Sequence, residues 1–133
     1  MFKGLVIGAI VLMGSVSNAC DLKFEKLALC ADIEFSAAPV SGKDSPFLLS
    51  FHDLNGAPVA LPTSKMEVVL WMPSMGHGSR PTSVTRFERT GAAYVSNAFF
   101  MMAGDWEIGV SFVNINSSGA KTVLDRAVYN LDL

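Results

Sequence analysis

"LALCADIEF", Leu27–Phe35, sets Leu29, Ala31, Ile33 and Phe35 against Cys30, Asp32 and Glu34. This period of two is the mark of a half-buried strand, and it puts Cys30 on the polar face. Downstream the pattern recurs. "FLLSFHD" (47–53) carries Phe47, Leu49 and Phe51 on one side, and Asn55-Gly56 follows as a turn signal, since both residues tolerate positive φ. "KMEVVLWM" (65–72) is nearly continuous and β-branched, as a central strand is, with Met66, Val68, Leu70 and Met72 sharing one face. "TSVTRFE" (82–88), "AAYVSNAFFMM" (92–102), "WEIGVSFV" (106–113) and "AKTVLDRAVYNLDL" (120–133) complete the series, with Trp106, Ile108, Val110 and Phe112 facing inward.

The breaks between these runs are Gly, Pro, Asn and Ser clusters, and no stretch carries a useful helical period. About seven short strands at regular spacing predict an all-β fold, an immunoglobulin-like two-sheet antiparallel β-sandwich. There is no internal repeat or low-complexity tract, so residues 20–133 read as one domain.

Upstream, "MFKGLVIGAIVLMGSVSNAC" has an early lysine, an apolar run from Leu5 to Met13, and Ser17-Asn18-Ala19 before Cys20. That is a secretory signal peptide over 1–19, too short in its apolar part to span a membrane. The protein is therefore expected in the periplasm or cell envelope. Removing 19 of 133 residues leaves 114, enough for one core. Losing Lys3 leaves nine basic against twelve acidic residues, a formal charge of −3. Such a chain has no electrostatic footprint for nucleic acid or anionic lipid.

Cys20 and Cys30 lie in a compartment where disulfides persist. A bridge between them would tie down the mature N-terminus. The other reading of Cys20, following Ala19, is a lipid attachment site. Ser17 stands where lipoprotein signals carry an apolar residue, and this favours the disulfide.

Enzyme chemistry finds little support. The two histidines, the scattered carboxylates and the lack of G-x-S-x-G, H-E-x-x-H or a phosphate-cradling loop lead to the expectation of no enzymatic activity. The distinctive segment is "LWMPSMGHGSRP", Leu70–Pro81, which holds Met72 just before Pro73, and Met75 and His77 between Pro73 and Pro81. Thioether and imidazole together suit Cu(I), whereas zinc asks for more His or Cys and calcium for a carboxylate cluster. In an extended loop Met75 and His77, two apart, point the same way, and Gly76 and Gly78 free the backbone to present His77 outward. Met72 ends its strand beside the same opening. Met101 and Met102 end another strand, where alternation turns one outward and the other into the core. His52 reads as an ordinary histidine on a polar strand face, and Asn116-Ser117-Ser118 as turn chemistry.

"FHDLNGAPV", "VVLWMPSMGHG" and "GAAYVSNAFFMMAGDWEIGVSF", in that order, resemble the FixH/YtkA-like domains of bacterial envelope proteins. The resemblance covers roughly residues 45–113. It implies an immunoglobulin-like sandwich outside the cytoplasmic membrane, in a family some of whose members are linked to copper delivery. Carried over, it makes Met75 and His77 the first ligand candidates, with Met72 and Met102 behind them. The chain departs from FixH in lacking a retained N-terminal anchor and in carrying the Cys20/Cys30 pair. The reading is a small exported copper-binding protein. The alternative is a metal-free module that docks another envelope protein through the loop and Phe99, Phe100 and Met101.

Overall fold

A computed structural model describes residues 20–133; the predicted signal peptide lies outside the described residues. The chain runs β1 (Leu22–Phe24), β2 (Leu29–Phe35), β3 (Phe47–Asp53), β4 (Lys65–Met72), β5 (His77–Gly78), β6 (Ser83–Phe87), β7 (Ala92–Ser96), β8 (Asp105–Ile115) and β9 (Lys121–Asp132). The strands form two antiparallel sheets, ordered β1-β2-β3-β7-β6 and β5-β4-β8-β9. This is the predicted β-sandwich. Two short strands, β1 and β5, go beyond the seven read from the sequence.

Alternation decides which face is buried. Met66, Val68, Leu70 and Met72 of β4 meet Trp106, Ile108, Val110 and Phe112 of β8 on the inner face of one sheet, all at 6% exposure or less. Phe47, Leu49 and Phe51 of β3 supply the other sheet's face, and Phe24, Phe51 and Phe112 join the layers through tilted and edge-on ring contacts. Burying such side chains contributes roughly 1.5–3 kcal/mol each.

The first turn is clamped by a buried carboxylate. Asp125 of β9 accepts a 2.9 Å hydrogen bond from the Leu27 N–H, beside Ala28 in the left-handed region. Cys20 is disulfide-bonded to Cys30, with Cα atoms 5.8 Å apart. Cys30 holds its outward register position but is only 2% exposed, so the polar face expected for it is covered.

One strand ends sooner than its apolar run suggests. β7 stops at Ser96, and Asn97 turns the chain with φ +54°. Phe99 then makes an isolated bridge to Asp44, and Phe100 is fully buried against Trp106. Met101 and Met102 therefore belong to no strand, and both are exposed, at 42% and 41%. The expected division into one core and one surface methionine fails because the ladder has already ended.

Candidate functional site

The Pro73–Gly76 segment is a tight hairpin turn. The Met72 carbonyl accepts from the N–H groups of Met75 (3.2 Å) and Gly76 (2.9 Å), and Gly76 takes φ +66°, the left-handed conformation that closes such a turn at least cost. The turn brings Met72 and His77 directly opposite one another as a register pair. Opposed residues in an antiparallel ladder project to the same face. Met72, 3% exposed, fixes that face as the inner one.

His77 therefore turns toward the end of the core, and the outward presentation expected of it is corrected. Its ring packs edge-on to Trp106 with centroids 6.4 Å apart. Nδ1 is shielded from solvent and has no hydrogen-bond partner among the described residues. A buried acceptor or donor left so costs about 1–3 kcal/mol, and Ser64 Oγ is the other such atom among the described residues.

Met75 sits at the hairpin tip, 57% exposed, so the turn removes the parallel projection of Met75 and His77 assumed for an extended loop. The Met102 segment reaches the same neighbourhood from the other sheet, where its carbonyl accepts the Trp106 indole N–H at 2.9 Å. Gly104, at φ +139°, leaves the space that Met72 uses: a Cβ there would run into the Met72 methyl. Gly104 is anchored by paired backbone hydrogen bonds with Leu133 of 2.8 and 3.0 Å. Trp106 thus has His77 on its edge, the Met102 carbonyl on its nitrogen and Phe100 against its ring.

The donor set at this end is imidazole and thioether. Among the described residues no group of three or more His, Cys, Asp or Glu gathers in a metal-holding cluster. His52, by contrast, is fully engaged, with Nδ1 2.9 Å from the Asp53 carbonyl and Nε2 3.2 Å from the Asp32 carboxylate. Asp53 in turn caps the Asn55-Gly56 turn, accepting from the N–H groups of Asn55 and Ala57. Asn116 does the same in its own turn, accepting from Ser118 and Ala120, as expected. Sequence reasoning missed Trp106 and Gly104 as parts of this end. Trp106 reads from the sequence only as an inward residue of its strand, and only the hairpin register brings His77 to the indole.

Together these features define a small disulfide-tied β-sandwich whose β4–β5 hairpin brings His77 to the indole of Trp106 and sets Met72 on the same sheet face. The family profile of YtkA-like proteins matches residues 29–111, more than half of the chain, and the protein belongs to the YtkA-like family. Neither the curated proteins nor the solved structures contain a match.

Proposed function

We propose that this is an exported envelope protein that takes up copper as Cu(I), for delivery or sequestration, at the end of the sandwich where the β4–β5 hairpin meets Trp106. The observation that carries the reading is the shielded Nδ1 of His77, without a partner among the described residues, on the same sheet face as the Met72 thioether. A soft monovalent ion satisfies both atom types and accepts a low coordination number. Met75 at the tip and Met102 on the flanking segment are the exposed thioethers that would receive or release it. Copper is cargo in this account, passed between these donors and another soft site. Family membership and the leader-like N-terminus support the envelope address.

The second reading, a metal-free docking module, is favoured by the exposure of Met75, Met101 and Met102, since flexible thioethers suit adaptable protein interfaces. Phe100, fully buried, has no part in it.

The test is a Cu(I) titration against a competing chelator, with His77→Ala, Met72→Leu, Met75→Leu and Met102→Leu alongside. One-to-one binding weakened by at least about tenfold in His77→Ala and Met72→Leu, about 1.4 kcal/mol or more, supports copper. Binding indifferent to all four substitutions sinks it and leaves docking.

A further inference from the structure

The second sheet is open along part of β4. β5 covers only Trp71 and Met72. Past it, Ser79 N–H donates to the Leu70 carbonyl and Thr82 Oγ1 to the Val68 carbonyl. In an antiparallel strand every second residue directs both its N–H and its C=O to the same edge. The N–H of Val68 and both polar groups of Met66 therefore face this edge, where no strand pairs with them among the described residues. They border a groove of about 690 Å³ between β4 and β6, the open edges of the two sheets.

The rim of that groove is cationic although the chain as a whole carries a formal charge of −2. Lys65, Arg80 and Lys121 line it, with Glu67 the acidic side chain among its lining residues. Arg80 is held over the Phe99 ring at 4.4 Å and makes no ion pair among the described residues. Lys65 and Lys121 share Glu67, at 3.7 and 3.0 Å, so one carboxylate serves two ammonium groups.

We propose that this groove is a docking site for an extended acidic segment of a partner protein, which adds to the sheet as a strand beside β4. Main-chain groups would supply affinity and alternate side chains the selectivity, as in other strand-addition complexes. Side chains of such a strand alternate between faces, so one set would lie on the outer face with Lys65 and Lys121 and the other toward Val84. The matching pattern is acidic residues alternating with small apolar ones. A second copy of this chain fits less well, because a two-fold pairing of the groove sets its cations against themselves.

The test uses an acetylated, amidated octapeptide of alternating Glu and Val, titrated into ¹⁵N-labelled protein, with a Lys-Val octapeptide as control. Saturable shifts of the Met66 and Val68 amides with the Glu-Val peptide are expected. The double variant Lys65→Glu/Lys121→Glu, its fold verified by a dispersed spectrum, should weaken binding at least about tenfold, and added salt should weaken it in the parent. No shift at millimolar peptide, or equal binding of the Lys-Val peptide, overturns the proposal and leaves the lysines as guards of an exposed edge. Concentration-dependent shifts of these amides without peptide, together with a dimer's mass, overturn it in favour of self-association.

Discussion

Met72 and His77 face each other across the β4–β5 ladder, and their side chains share the inner face at the end of the core. The four-residue turn between them creates that relationship. It puts a thioether on the same sheet face as an imidazole whose Nδ1 has no hydrogen-bond partner among the described residues.

If that nitrogen is kept for a ligand, removing it should help the apo fold. His77→Phe retains an aromatic edge against Trp106 and removes the unpartnered polar atom. Urea denaturation should show stability unchanged or raised by about 1 kcal/mol. Cu(I) binding should fall in the same variant. Lower stability with unaltered copper binding would mean that His77 is a structural residue.

Gly104→Ala should act on the site from behind. The added Cβ runs into the Met72 methyl and occupies a backbone conformation that L-residues rarely adopt. Thermal unfolding should show a loss of about 1–3 kcal/mol, with the NMR signal of the Met72 methyl displaced. A variant as stable as the parent, with that signal unmoved, would mean that Gly104 is not what makes room for Met72.

Replacing both Cys20 and Cys30 by Ala should cost about 3 kcal/mol on the chain-entropy account of a short loop. The loss should concentrate in β1 and the neighbouring turn, seen as faster amide exchange at Leu22–Phe24. Copper binding, at the other end of β4 and β8, should persist.

Asp105 and Asp132 stand opposite each other where β8 meets β9. The side-chain hydrogen bond from Asp105, its charge, and a smaller effect of burial hold Asp132 above the ordinary carboxylate value. A raised folded value means that the native pair holds its proton longer than the unfolded chain does. Its contribution to stability is therefore fully present below the unfolded value and is lost as pH rises through the folded one. Urea midpoints measured across that acidic window should show this loss in the parent and a flatter profile in Asp132→Asn. Identical profiles would contradict the coupling.

Much of the sandwich was legible because the apolar period in β3, β4 and β8 is strict, and inward residues such as Phe47, Val68 and Ile108 fall where alternation puts them. The short strands were not. β1 and β5 are two or three residues long, too short to show a period, and each depends on a neighbour to pair with. The apolar run Phe99–Met102 misled for the opposite reason. Phe100 packs on Trp106 after the ladder has ended at Ser96, so hydrophobicity persists where strand geometry does not. For the site, the residue types were readable and their directions were not. Whether His77 looks out or in depends on the register that the Met72 carbonyl sets through the turn.

Copper donation by His77 Nδ1 has a direct spectroscopic readout. Imidazole ¹⁵N spectra of the protein, taken before and after one equivalent of Cu(I) under reducing, oxygen-free conditions, test it directly, since the d¹⁰ ion leaves the signals observable. Copper binding there should bring a large shift of His77 Nδ1, with the nitrogens of His52 unmoved. Unchanged His77 nitrogens, or a response confined to His52, would contradict it.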